Sequence, residues 1–144
     1  MSAKAFLDTN LFVYMQSASD NDKKELSYQA LEKFDCVVST QVVNELCNVA
    51  LKKLMIKPEQ LRQILRAMSS SCDVCVITLD TVDITLRLKE RYGFSYYDSL
   101  IVASALESDC AYLISEDMSD GQMIEDRLEI VNIFARPSWI KVVD

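Results

Sequence analysis

The stretch Phe6-Leu7-Asp8-Thr9-Asn10 places one carboxylate between two apolar segments. Residues 3–7 are typical of a short strand, and residues 11–15, Leu-Phe-Val-Tyr-Met, continue without a polar break. A lone ionised acid at the entrance to an apolar segment is unfavourable unless it has a partner or a ligand. Two interpretations follow: Asp8 or Thr9 caps the next helix, or Asp8 belongs to a functional site.

Short apolar strands alternate with helices along the whole chain. The expected strands are residues 3–7, 36–39, 74–77, 111–115 and 129–134, and the expected helices are 11–17, 23–34, 41–55, 58–69, 80–92 and 98–107. The strands are continuous apolar runs without two-residue alternation, which is typical of a parallel sheet covered on both faces. We therefore expect an α/β fold, a three-layer α/β/α sandwich with a central parallel sheet, built as a single domain over residues 1–144.

Composition indicates a soluble, cytoplasmic protein. No apolar run approaches the ~20 residues that a membrane span requires, and the N-terminus has no signal-peptide pattern. The five cysteines are an odd number without a secretory signal, so reduced thiols are expected. The motif Cys72-Asp73-Val74-Cys75 runs into a strand and not into a helix, which makes it a weak indication of redox chemistry or zinc binding.

The net charge of −7 is unevenly distributed. Residues 107–129 contain eight acids against a single arginine, whereas a basic strip is formed by Lys52, Lys53, Lys57, Arg62 and Arg66. This balance disfavours a protein that binds nucleic acid through a uniformly basic surface. The basic strip has two interpretations, a solvated helix surface or a guide for RNA backbone.

Four acids occupy positions that a parallel sheet brings towards one edge. Asp8 and Asp117 directly follow expected strands, Asp98 opens the most apolar helix, and Glu45 lies along the flank of an apolar helical stripe. Each has an ordinary explanation as a cap, a turn residue or a solvated acid, but none of the four is expected on an outward face of its element. Ligands, however, bind beyond the carboxyl ends of parallel strands. Converging carboxylates repel unless a cation neutralises them, and such oxygen ligands favour Mg²⁺ or Mn²⁺.

The chain contains no histidine. This excludes histidine-dependent triads and acid–base ribonucleases, and it disfavours most zinc hydrolase sites. A glycine-rich phosphate loop is also missing from the sequence. The remaining chemistry is metal-assisted: acidifying a water, orienting a phosphodiester and stabilising the leaving oxygen.

An ordered set of motifs resembles the PIN-domain ribonucleases, most of all the VapC-type toxins of toxin–antitoxin pairs. These are Phe6-Leu7-Asp8-Thr9-Asn10, Val42-Val43-Asn44-Glu45, Tyr97-Asp98-Ser99-Leu100-Ile101-Val102-Ala103-Ser104-Ala105 and Leu113-Ile114-Ser115-Glu116-Asp117-Met118. The resemblance implies that Asp8, Glu45, Asp98 and Asp117 form the catalytic and metal-binding site for Mg²⁺ or Mn²⁺. It also implies an endoribonuclease that cleaves RNA, acts as a homodimer and is inhibited by a cognate antitoxin, with no membrane involvement.

Two positions depart from the family pattern. Ser115 stands where threonine is frequent, which preserves the hydroxyl. Asp120 is one residue further from Asp117 than the usual second acid, so it is an auxiliary candidate only. Tyr96 and Tyr97 are candidates for stacking on bases, or for packing beside the central helix.

Two other functions remain open from the sequence alone. The first is a catalytically silent PIN-fold module that binds metal or another protein. The second is an aspartyl-phosphate phosphatase or receiver domain, which the sequence disfavours because Asn10 stands where a second acid would be required.

Overall fold

The computed structural model describes residues 2–143, which form six strands and seven helices. The strands are β1 (Lys4–Leu7), β2 (Asp35–Ser39), β3 (Cys72–Cys75), β4 (Tyr112–Ile114), β5 (Met123–Ile124) and β6 (Leu128–Val131). The helices are α1 (Thr9–Gln16), α2 (Asn21–Lys33), α3 (Thr40–Lys52), α4 (Pro58–Ser71), α5 (Leu79–Tyr92), α6 (Tyr96–Glu107) and α7 (Trp139–Val142).

All six strands belong to one sheet, in the order β3-β2-β1-β4-β6-β5. Five strands are parallel, and only β5 pairs antiparallel with its neighbour β6. The chain first adds strands on one side of β1 and then crosses to the other side at β4. The carboxyl ends of β1 and β4 are therefore the topological switch point, where open α/β sheets form their binding crevice.

Helices flank the sheet, so the expected α/β sandwich is confirmed. Helix α1 packs against α2 and α3, α3 packs against α4, and α5 and α6 pack together. Most of α6 is buried: every residue from Ser99 to Leu106 has little or no exposed surface. This agrees with the expectation that the most apolar helix is central.

The third strand begins two residues earlier than the sequence indicates. The serines at 69–71 suggest the end of the preceding helix, but the hydroxyls of Ser69 and Ser70 donate to the carbonyl of Arg66 and the helix continues to Ser71. Strand β3 then starts at Cys72, which lies opposite Cys36 of β2. Strand pairing, and not the most apolar window at 74–77, decides the register.

Strand β5 was not expected from the sequence. It has two residues and joins β6 through residues 125–127, in which Glu125 and Asp126 both adopt positive φ, 51° and 55°. Such a turn usually contains glycine or asparagine, so its sequence contains no recognisable hairpin signal. The following strand, expected at 129–134, occupies Leu128–Val131.

The caps and the tail complete the scaffold. Ser39 and not Thr40 caps α3, and the turn after α5 is made by Gly93 at φ 76°. Trp139 is partly buried and packs against the core, with its ring centroid 5.7 Å from that of Phe34 and 5.0 Å from that of Tyr112. All five cysteines are free thiols. In the described part of the chain, no helix is both long enough and apolar enough to span a membrane.

Candidate acidic site

Asp8 lies at the switch point, between the end of β1 and the start of α1. The backbone N–H of Asp8 donates to the carbonyl of Ile114 at 3.0 Å, which ties the ends of β1 and β4 together. Its Oδ1 accepts from the Thr9 N–H at 2.7 Å and caps α1, while Oδ2 accepts from the Ser115 hydroxyl at 2.9 Å. Capping and site membership are thus not alternatives, because each oxygen of the carboxylate has its own partner.

Burial raises the pKa of Asp8 to about 6. The two hydrogen bonds from Thr9 and Ser115 oppose this shift because they favour the ionised carboxylate. The negative charges of Glu45 and Asp98 add to it. Asp8 is therefore a carboxylate whose ionised form lacks a compensating cation, in a crevice where two other acids are near enough to repel it.

Glu45 and Asp98 reach this crevice from two different helices. Gln41, one turn before Glu45 on α3, donates through Nε2 to Glu45 Oε1 at 2.8 Å and to the carbonyl of Tyr97 at 3.2 Å. The same amide thus joins Glu45 to the first turn of α6, where Asp98 lies. Thr9 Oγ1 makes a longer contact of 3.4 Å with Glu45 Oε2.

Asp117 lies in the bend after β4 and is held from α1. Asn10 donates through Nδ2 to Asp117 Oδ2 at 2.8 Å. Asn10 is the second residue of the helix that Asp8 caps. The start of α1 therefore positions both Asp8 and Asp117. This contact explains Asn10 at a position where a phosphatase would need a second acid.

The expectation that none of the four acids faces outward was wrong for two of them. Glu45 and Asp117 are exposed, whereas Asp8 and Asp98 are partly buried. Glu45 follows the flank of α3, but this flank is exposed where it borders the cleft. Within residues 2–143, no group of three or more acidic or thiol side chains is arranged to hold a metal ion. The fold therefore brings the four acids to one region without setting them in a ligand shell.

Other acids nearby are neutralised by cations. Glu116 accepts from Lys23 at 2.7 Å and from Tyr14, and the pKa of Glu116 is lowered because these donors outweigh its burial. Asp120 pairs with Arg136 at 2.8 Å, which likewise lowers the pKa of the Asp120 carboxyl despite partial burial. Asp120 thus serves the structure of the tail, and its auxiliary role at the site has no support from these contacts.

The four site acids differ from Glu116 and Asp120 in this respect. For the part of the chain that is described, none of the four lies within ion-pair distance of a lysine or arginine. Uncompensated carboxylates that approach one another are a donor set suited to a hard divalent cation. The two exposed members, Glu45 and Asp117, leave this donor set open to solvent.

Three contacts of the site were not predicted from the sequence. They are Ser115 with Asp8, Asn10 with Asp117, and Gln41 with Glu45. Only the last carries a local signal, a spacing of four residues on one helix. The other two join residues 107 positions apart, and become neighbours only because β1 pairs with β4.

Comparison with known proteins identifies the family. The PIN domain matches residues 5–119, most of the chain, and the chain belongs to the PIN domain family. A search of curated proteins finds no significant match.

Solved structures share the same fold. A toxin–antitoxin complex from Klebsiella pneumoniae has 22% identity and a TM-score of 0.67, covering 89% of this chain and 96% of that one. VapBC2 from Rickettsia felis, bound to a promoter DNA fragment, has 20% identity and a TM-score of 0.62, with 90% and 99% covered. VapC20 from Mycobacterium tuberculosis, described as a toxin that cleaves the sarcin–ricin loop, has 15% identity and a TM-score of 0.65, with 85% and 98% covered.

Proposed function

We propose that the protein is a metal-dependent endoribonuclease that hydrolyses RNA phosphodiesters, and that it is the cytoplasmic toxin of a toxin–antitoxin pair. The observation that carries the proposal is the group of four acids at the switch point of the sheet, none of which pairs with a lysine or arginine among the described residues. A site that concentrates negative charge without a resident cation favours binding a divalent one.

Two further observations support this proposal. Burial raises the pKa of Asp8 to about 6, and the charges of Glu45 and Asp98 add to the shift, so a cation in this crevice would relieve an unfavourable charge. Membership of the PIN family, together with the sarcin–ricin loop cleavage described for the M. tuberculosis neighbour, supports RNA as substrate.

Asp8, Glu45, Asp98 and Asp117 would hold Mg²⁺ or Mn²⁺ and form the catalytic site. A divalent ion supplies Lewis acidity towards the phosphodiester and lowers the pKa of a water. Thr9 and Ser115 favour the ionised form of the Asp8 carboxylate and hold it in one orientation by donating to its two oxygens. Gln41 and Asn10 limit the positions of Glu45 and Asp117 in the same way.

The test is cleavage of structured RNA with and without divalent ions. We expect RNA cleavage with Mg²⁺ or Mn²⁺, none with EDTA, and a loss of about 100-fold or more in Asp98→Asn, the scale of one electrostatic group in an active site. The matched control is Asp80→Asn, since Asp80 is also an acid in the first turn of a helix, α5. If the wild-type protein binds the ion but cleaves no RNA, the protein is instead a catalytically silent PIN-fold module.

A cognate antitoxin is the proposed protein partner. Two structural neighbours are described as a toxin–antitoxin complex and as VapBC2 with promoter DNA. We expect a small protein encoded beside this one to copurify with it and to suppress RNA cleavage at equimolar ratio. A neighbouring gene product that neither binds nor inhibits would contradict this part of the proposal.

A second copy of the chain is the proposed partner at the edge strand β3. Among the described residues 2–143 this strand pairs with β2 alone, and the segment that leads into and begins α5 exposes Val76 and Leu79, the latter to 87%. Exposed aliphatic side chains beside an open strand edge are unusual in a monomer.

The basic strip is the proposed guide for RNA backbone. Every one of its residues is exposed, which suits this role.

A further inference from the structure

A cleft of about 640 Å³ opens beside Glu45, between helices α3 and α6. Its walls include Gln41, Asn44, Glu45 and Asn48 of α3, and Tyr97 and Leu100 of α6. This volume lies within the ~300–1,000 Å³ typical of ligand pockets. Because Glu45 belongs to both the cleft and the acidic site, a ligand in the cleft would lie directly beside the reacting phosphodiester.

Three of the side chains that line the cleft are amides, those of Gln41, Asn44 and Asn48. Asn44 and Asn48 are one turn apart on α3 and are exposed, and their side chains make no hydrogen bond to any residue from 2 to 143. Each amide offers both a donor and an acceptor. Among the described residues that line the cleft, Glu45 is the only charged one. These walls suit a neutral group with donors and acceptors along its edge better than a phosphate.

Tyr97 provides an aromatic surface at the same place. Its side chain is 67% exposed, although it lies next to the partly buried Asp98. The ring of Tyr96 contacts it edge-on, with centroids 5.3 Å apart, and this restricts its movement. An exposed ring held in this way is suited to stacking on a planar ligand, a contact that contributes about 1–3 kcal/mol per base in single-strand binding.

Gln41, one of the residues that line the cleft, has an amide oxygen without a donor among the described residues. It is only 7% exposed, and its Nε2 is fully used by Glu45 and the Tyr97 carbonyl. Its Oε1 is buried and has no hydrogen-bond partner among the described residues. A buried acceptor without a donor is unfavourable by about 1–3 kcal/mol, and a ligand that brings a donor into the cleft would remove this penalty.

We propose that this cleft binds one unpaired base of the RNA, adjacent to the phosphodiester that is cleaved. Tyr97 stacks on the base, Asn44 and Asn48 hydrogen-bond to its edge, and Gln41 Oε1 accepts from it. The inference rests on the proposed ribonuclease function and deepens it, because it states how the enzyme would select a cleavage position. It also predicts a substrate that is single-stranded at this nucleotide, since a paired base cannot enter.

The test separates binding from cleavage. Fluorescein-labelled oligo(A), oligo(C) and oligo(U) decamers are titrated with protein in Mg²⁺, in an Asp8→Asn background that prevents cleavage. We expect Tyr97→Ala to weaken binding about tenfold, the effect of losing one stacked base. Tyr97→Phe should restore binding because the ring remains. Asn48→Ala should reduce the differences in affinity among the three decamers.

Tyr28→Ala is the matched control, since Tyr28 is another exposed tyrosine and lies on α2. It should bind RNA as the parent protein does. If the wild-type protein cleaves RNA while Tyr97→Ala and Asn48→Ala leave both affinity and base preference unchanged, the cleft has no such role and the ribonuclease proposal stands. If decamer binding depends on Tyr97 but RNA is never cleaved, the base site stands and the ribonuclease proposal fails.

Discussion

Replacing Asp8 by asparagine should make the protein more stable at neutral pH in the absence of divalent ions. The substitution removes the buried charge but keeps the shape. The asparagine oxygen can accept from the Thr9 N–H, and the Ser115 hydroxyl can turn to accept from the new amide. Stability and proposed activity would then change in opposite directions at a single residue.

The magnitude follows from the pKa of Asp8, which rises from 3.8 to about 6. Each unit of difference between the folded and unfolded pKa is worth about 1.4 kcal/mol, so ionised Asp8 destabilises the fold by about 3 kcal/mol above pH 6. Asparagine is itself polar and partly buried, so we expect a gain of about 1–2 kcal/mol.

The sign of the pH dependence is equally specific. Between pH 4 and 6 folded Asp8 binds a proton that the unfolded chain does not, so the stability of the wild-type protein rises as the pH falls through this window. The advantage of Asp8→Asn should therefore be largest above pH 6 and should vanish below pH 4. Millimolar Mg²⁺ should reverse the order, because a cation that binds only the folded wild-type site stabilises it.

The assay is urea unfolding in EDTA from pH 4 to 8, repeated with Mg²⁺. The control Asp80→Asn should lose a few tenths of a kcal/mol at neutral pH, because a negative charge in the first turn of a helix is favourable. The reasoning would be refuted if Asp8→Asn were no more stable than the wild type above pH 6 while Asp80→Asn showed its expected small loss. Burial of the ionised Asp8 would then lack the energetic penalty that its raised pKa implies.

Three further predictions concern other parts of the molecule. Ser115→Ala removes the hydroxyl that favours ionised Asp8. The acidic limb of the pH profile of RNA cleavage should therefore move to higher pH by up to about one unit. An unmoved limb would contradict the role of Ser115 in favouring ionised Asp8. Leu79→Glu should convert the proposed dimer to a monomer, as measured by light scattering. A wild-type protein that is already monomeric would refute the dimer. Reversing charge at Arg62 and Arg66 should weaken RNA binding and flatten its salt dependence, by about 0.7 in the log–log slope per lost contact; an unchanged slope would exclude the guiding role.

Local sequence predicted the elements with local causes. The order of strands and helices, the buried central helix and the turn at Gly93 follow from apolar periodicity and backbone preference. Elements that depend on a distant partner were misplaced or missed. Strand β5 exists because it pairs with β6, and β3 begins where β2 provides a partner.

The same division applies to the site. Asp8 could be singled out because one acid interrupts an apolar stretch, and Asp98 because it begins the most apolar helix, two signals that need no partner. The tertiary structure decided which groups donate to the two oxygens of Asp8, why the pKa of Asp8 rises, and which of the described acids have no cationic partner. Hydrogen bonds such as the one from Ser115 to Asp8 join residues 107 positions apart. The sequence alone does not predict such a contact, because the contact forms only when two parallel strands end side by side and exclude water around one carboxylate.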